Sequence, residues 1–135
     1  MKVFLIDTNV LLRFFIDTAS PQYLRARLIV RSVEKEKAIC LLSIMVVGEF
    51  IWTSEKYYGL PRAEYCEGLI RFCMLKNVKL VEIQKKDIIH LLDQYSHGKM
   101  DLTDLYLHFL SQKEKVSVAS FDQDLRKLGC KIIQK

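Results

Sequence analysis

Acidic residues recur in this chain at positions where an acid needs a reason. Asp7 follows the apolar run Val3-Phe4-Leu5-Ile6 and opens Asp7-Thr8-Asn9. Glu49 interrupts Val46-Val47-Gly48-Glu49-Phe50-Ile51-Trp52. Asp101 and Asp104 sit together in Asp101-Leu102-Thr103-Asp104, and Asp122 follows a second run, Val116 to Phe121. A carboxylate among apolar neighbours is costly to desolvate unless something compensates it. Several such acids in one small chain suggest a shared cation. Hard divalent ions such as Mg²⁺ and Mn²⁺ take oxygen ligands, and Mg²⁺ usually keeps several waters. Beside a phosphate, such a site neutralises charge, lowers the pKa of water and orients its attack. The expected chemistry is hydrolysis at phosphorus, with some acids binding the ion and one accepting a proton.

Each acid also has a local explanation. Asp7 can cap the helix that follows it. Glu49 can pair with a Lys or Arg of another element. Asp101 and Asp104 both suit a helix N-terminus, where the dipole favours negative charge. Three residues along a helix is a rotation of roughly 60°, so both can face one point. Asp122 and Asp124 fit an ordinary strand-to-helix turn. Thr8, Asn9 and Ser120 are small polar neighbours able to hold carboxylates or water in place, or to serve turn chemistry alone. The joint pattern, rather than any single acid, carries the inference.

The elements that must position these acids follow from apolar periodicity. Short apolar runs predict strands at Val3–Ile6, Ile39–Leu42, Lys79–Ile83, Val116–Ser120 and Lys131–Ile133. Helical patterns lie near Val10–Phe15, Gln22–Glu36, Ile44–Tyr57, Arg62–Lys76, Asp87–Tyr95, Leu102–Gln112 and Gln123–Leu128. Ser43 suits the cap of the helix carrying Glu49, and Asp101 suits the cap of the helix carrying Asp104. Gly59 and Pro61 mark a turn and a helix start, and Gly129 suits a helix end. Alternating strands and helices predict a parallel sheet with helices on both faces. Runs that are apolar at every position read as strands covered on both sides. Ligands of such sheets bind beyond the carboxyl ends of the strands. Asp7 and Asp122 both fall at that edge, and they converge if their strands are neighbours.

The chain has 135 residues, of which 50% are hydrophobic, with a net charge of +5 and a pI near 9.0. This length and composition suit a single domain spanning 1–135. Basic charge favours an anionic partner such as nucleic acid. Its local groups are Arg25, Arg27 and Arg31, and Arg126, Lys127 and Lys131, although a solvated helix face would look the same. Cys40, Cys66, Cys73 and Cys130 form no CxxC pair, and His90, His97 and His108 show no ligand spacing with them. Buried free thiols are expected rather than zinc. The apolar start stops at Asp7, too short for a signal peptide, and Ser43 and Glu49 break the longest apolar region. No membrane association and a cytoplasmic location are expected.

With these motifs in hand, the chain resembles the PIN-domain ribonucleases, and most closely the VapC-type toxins of prokaryotic toxin–antitoxin pairs. "IDTNVLL" is similar to the family's opening Asp-Thr-Asn motif, and "VGEFIWTSEKYYGLPRAEY" to its central Glu helix and Tyr-Gly-Leu turn. "DLTDLYL" resembles the third acidic motif and "SFDQDLRKLG" the closing Ser-Phe-Asp-x-Asp segment. The resemblance implies a three-layer α/β/α fold around a central parallel sheet of four or five strands. It implies a divalent-metal-dependent endoribonuclease using Mg²⁺ or Mn²⁺ and leaving a 5′-phosphate and a 3′-hydroxyl. The implied catalytic acids are Asp7, Glu49, Asp104 and Asp122. Asp101 joins them as a metal ligand, and Thr8, Asn9, Ser120 and Asp124 support them. The implied partners are RNA, a cognate antitoxin that would make this the toxin of a type II pair, and a second copy in a homodimer. Tyr23, Trp52, Tyr57 and Tyr58 could serve such surfaces or the core. One departure is Leu105-Tyr106-Leu107-His108-Phe109-Leu110, where the family often has a small, Ala-rich helix.

Two rivals remain. A catalytically inactive PIN-like RNA-binding or interaction domain would use the same fold, although clustered negative charge does nothing for a pure phosphate binder. An aspartyl-phosphate phosphatase would usually carry a second Asp two residues after Asp7, where this chain has Asn9.

Overall fold

Three helix starts in this chain are set by an acid or a hydroxyl at the end of a strand. The structure is a computed structural model that describes residues 1–129 and the backbone of residues 132–133. In order, its elements are β1 (Lys2–Leu5), α1 (Thr8–Phe15), α2 (Tyr23–Glu34), β2 (Ala38–Leu42), α3 (Ile44–Lys56) and α4 (Arg62–Met74). They continue with β3 (Val78–Leu80), α5 (Lys85–His97), α6 (Leu102–Glu114), β4 (Val118–Ala119), α7 (Gln123–Lys127) and β5 (Ile132–Ile133). Asp7 caps α1, its Oδ1 accepting from the Thr8 N–H at 2.8 Å. Ser43 caps α3 through the Met45 N–H at 3.2 Å. Asp122 caps α7 through the Asp124 N–H at 2.9 Å. Each cap satisfies one backbone donor that the helix cannot satisfy itself.

The architecture is α/β/α, with parallel strands between helices. β1 pairs with β2 in the register Lys2↔Ala38 to Leu5↔Leu41, and β2 pairs with β3 from Cys40↔Val78 to Leu42↔Leu80. β4 and β5 form a second parallel ladder, Val118↔Ile132 and Ala119↔Ile133. The strands leading to Asp7 and Asp122 are therefore not hydrogen-bonded neighbours, and strand pairing alone does not bring these two acids together. The expected strand beginning at Lys131 is described only at Ile132 and Ile133, because Lys131 and Cys130 lie outside the described residues.

The core is built around Leu11, Cys40, Leu42, Val47, Phe50 and Leu69, none of them exposed. Burying side chains of this kind stabilises by about 1.5–3 kcal/mol each. At Gly68 the approach of α4 to α1 is so close that a Cβ would lie 2.8 Å from Phe15 Cδ1. β1 departs from the expectation of strands covered on both sides. Phe4 packs against the core, but Val3 is 54% and Leu5 69% exposed. A continuous apolar run therefore did not report burial here, since adjacent strand residues point to opposite faces and only one face of β1 is covered. Among the described residues no helix is long and apolar enough to cross a membrane.

Candidate metal centre and adjoining groove

The strand order places several polar residues at one edge of the sheet, where β1 leads to Asp7, β2 to Ser43 and β3 to Glu82. The acids meet in two adjoining groups. The first is a trio: Asp104, Asp122 and Asp124 each offer a carboxylate oxygen, and these atoms lie within 4.8 Å of one another. Asp104 comes from the first turn of α6, and the other two from the start of α7. The Ser120 hydroxyl accepts from the Asp122 N–H at 2.9 Å and fixes this turn. Asp122 uses Oδ1 for its cap. A carboxylate has two oxygens and several lone pairs, so capping one helix does not preclude holding an ion.

The trio's electrostatics are those of crowded like charges. The carboxyl of Asp104 titrates above its ordinary range, first because partial burial disfavours the charge. Repulsion from Asp122, Asp101 and Asp124 and a hydrogen bond with Asp122 raise it further. Oxygen donors without sulfur or imidazole are what a hard dication such as Mg²⁺ or Mn²⁺ prefers. No salt bridge among the described residues involves Asp7, Glu49, Asp104 or Asp122. Lys127 reaches Asp124 at 3.8 Å.

The second group lines a groove of about 830 Å³ between α3, α5 and the start of α6. Asp7, Glu49, Glu55 and Asp101 bring its negative charge, Lys56 brings a cation, and Trp52, Tyr95 and Tyr106 bring aromatic surface. Asp7 and Glu49 stand outside the trio, and the first turn of α6 adjoins both groups through Asp101 and Asp104. The site was expected to bury its acids. Instead Asp7, Glu49, Asp101, Asp122 and Asp124 are exposed and Asp104 is half-buried.

The PIN domain family model matches residues 4–130. The chain belongs to the PIN-domain family. No curated protein and no solved structure matches it closely enough to add to this assignment. Within this PIN domain, Thr8 is buried and Asn9 exposed, and Thr8 lines the groove beside Asp7. Asp101 stands at the N-cap position of α6, yet its side chain makes no capping hydrogen bond, contrary to expectation. Its carboxylate instead lies 3.9 Å from the Arg62 guanidinium.

Sequence reasoning missed two supporting residues of the PIN domain. Glu82 clamps the start of α3 from 38 residues away: Oε1 accepts from the Ile44 N–H at 2.8 Å, and Oε2 accepts from the Ser43 hydroxyl at 2.7 Å. Desolvation pushes the Glu82 pKa up, but these bonds outweigh it and leave the carboxyl below its ordinary range. Arg62 gathers backbone carbonyls ahead of α6. A long-range acid-to-cap pair or an arginine bound to main chain leaves no local motif. Cys40, Cys66 and Cys73 are buried free thiols, as expected, and burial pushes each up to about 12. Of the aromatics read as surface or core, Trp52 and Tyr57 are exposed and Tyr23 and Tyr58 are half-buried.

Proposed function

We propose that this PIN domain, taken as one domain over 1–135, is a divalent-metal-dependent endoribonuclease. The observation that carries the proposal is the crowding of Asp104, Asp122 and Asp124, with no salt bridge to Asp104 or Asp122 among the described residues, in a family member of net charge +5. Catalytic roles are assigned to Asp7, Glu49, Asp104 and Asp122, with Asp101 as a further ligand and Thr8, Asn9, Ser120 and Asp124 in support. A bound Mg²⁺ or Mn²⁺ would neutralise phosphate charge and make water a better nucleophile. Asp104 and Asp122 would hold the ion from one side, while Ser120 fixes the turn that presents Asp122. Asp7 is fixed by the Thr8 N–H on one oxygen, so its other oxygen is available to accept a proton. Glu49 and Asp101 would complete the negative wall of the groove. Lys56 and the exposed Trp52 would meet RNA backbone and base along the same groove.

Within this proposal the protein is cytoplasmic, forms a homodimer and serves as the toxin of a type II pair. An antitoxin segment would occupy the apolar part of the groove and bring a basic side chain to the acids. The rival, a catalytically inactive RNA-binding or interaction domain, is favoured by one observation: Asp7 and Glu49 stand outside the carboxylate trio. Cleavage of RNA in Mg²⁺ or Mn²⁺ is the test, repeated with Asp7→Asn and Asp104→Asn. Metal-dependent cleavage lost in both variants supports the nuclease. Undiminished cleavage in both removes these acids from the mechanism, and absence of specific divalent binding by calorimetry supports the rival.

A further inference from the structure

We infer that Arg62, at the start of α4, is a positioning residue that sets the acids of α6 against those of α3. The inference rests on the metal-dependent reading above. The Arg62 side chain is 17% exposed. Its Nη1 donates to the Met100 carbonyl at 2.7 Å and to the Gly98 carbonyl at 3.1 Å, with longer contacts at 3.4 Å to the carbonyls of Tyr95 and, from Nη2, Lys99. These carbonyls belong to the end of α5 and to the segment that launches α6. Asp101, at the N-cap position, makes no capping bond of its own. What holds the entry to α6, and hence the direction in which Asp101 and Asp104 leave it, is therefore a guanidinium from another helix.

The same group is tied to α3. Glu55 Oε1 lies 3.7 Å from Arg62 Nη2, and Glu55 Oε2 accepts from the Tyr95 hydroxyl at 3.3 Å. Tyr95 in turn shares a 2.8 Å hydrogen bond with Tyr65 of α4, and the Arg62 guanidinium carbon sits 4.1 Å from the centre of the Tyr95 ring. Glu55 is on the helix that carries Glu49. Arg62 thus joins the two helices whose acids face the groove. A planar guanidinium reaches several carbonyls at once, stacks on a ring and meets a carboxylate, whereas a lysine ammonium is a point charge that cannot do all three.

The test uses R62A and R62K in the full chain, with the lysine variant retaining the charge and stem should R62A fail to fold. Three measurements are compared with wild type: Mn²⁺ affinity by electron paramagnetic resonance, amide exchange over residues 98–105, and steady-state RNA cleavage. The expected result is faster exchange in that segment and Mn²⁺ affinity weakened about tenfold, the usual scale for residues that orient metal ligands. It includes kcat lowered with KM for RNA little changed, and no rescue by lysine. Faster exchange with Mn²⁺ affinity within twofold of wild type would reduce Arg62 to a fold stabiliser and overturn the inference. Full rescue by R62K would overturn it as well. Wild-type protein that binds no Mn²⁺ would overturn the functional reading itself, and the positioning role with it. Mn²⁺ binding without RNA cleavage would overturn only the nuclease reading, and the affinity and exchange data would still decide on Arg62.

Discussion

Replacing Asp104 with asparagine should stabilise the metal-free protein and destabilise the metal-loaded one. The carboxylates of Asp104, Asp122 and Asp124 lie within 4.8 Å of one another. At such a separation two charges in water repel by about 0.9 kcal/mol, and physiological salt roughly halves this. Removing the Asp104 charge therefore relieves about 1 kcal/mol from Asp122 and Asp124 together. Against this, Asp104 sits in the first turn of α6, where the helix dipole favours a carboxylate by about 0.5 kcal/mol. The net gain is about 0.5 kcal/mol, or roughly 2 °C in Tm for a chain of this size. With Mn²⁺ at a hundredfold excess over Kd, wild type should gain about 2.7 kcal/mol, on the order of 10 °C, and the variant much less. Calorimetric melts in EDTA and in Mn²⁺ should therefore show the order of stability invert. A variant that melts several degrees below wild type in EDTA and shifts equally with Mn²⁺ would refute the reasoning.

Acidity gives the same prediction a second readout. The folded-state pKa of Asp104 is raised above the ordinary 3.8, so the folded protein keeps this proton longer than the unfolded chain does. Its contribution to stability is full below 3.8 and is lost as pH rises through the folded value. The metal-free advantage of D104N should therefore grow with pH across that window and vanish below it.

Other outcomes follow from the same structure. Glu82→Ala removes both bonds that hold the start of α3 and should cost about 1–2 kcal/mol in urea unfolding. Because the Glu82 pKa is depressed, its contribution is present above the ordinary value of 4.5 and is lost as pH falls through the folded value, so the wild-type to E82A gap should close in acid. Trp52 is the chain's one tryptophan and lines the groove. Its emission should therefore change on adding single-stranded RNA to D104N, and unchanged emission at saturating RNA would move the substrate elsewhere. Cys40, Cys66 and Cys73 are buried, with pKa values pushed up to about 12. A thiol reagent at pH 8 should leave them unlabelled in the native state, as peptide mapping would show, and label them in urea.

What the sequence made legible was local. The apolar runs located the strands within a residue or two, except that the run expected to end at Ile83 outlasts β3, which stops at Leu80, and Ser43 announced α3 through its own hydroxyl. Asp7 was recognisable as both cap and site acid, but α1 starts at Thr8 rather than Val10 because that cap acts on the first turn itself. The site was legible as a set of acids but not as an arrangement. Asp124 joins Asp104 and Asp122, whereas Asp7 and Glu49 face the groove, since β4 ladders with β5 and not with β1. Exposure of Val3 and Leu5 escaped notice because hydrophobicity reports what a residue prefers, not which face of its strand is covered. Arg62 and Glu82 act across more than thirty residues on backbone or cap atoms, and no spacing rule connects such partners.

The most direct test of the proposed metal site is anomalous diffraction from crystals soaked in Mn²⁺. A peak held by Asp104 and Asp122 is expected, with no such peak in D104N crystals. Mn²⁺ bound elsewhere, with Asp104 and Asp122 carrying none at saturating concentration, would contradict it.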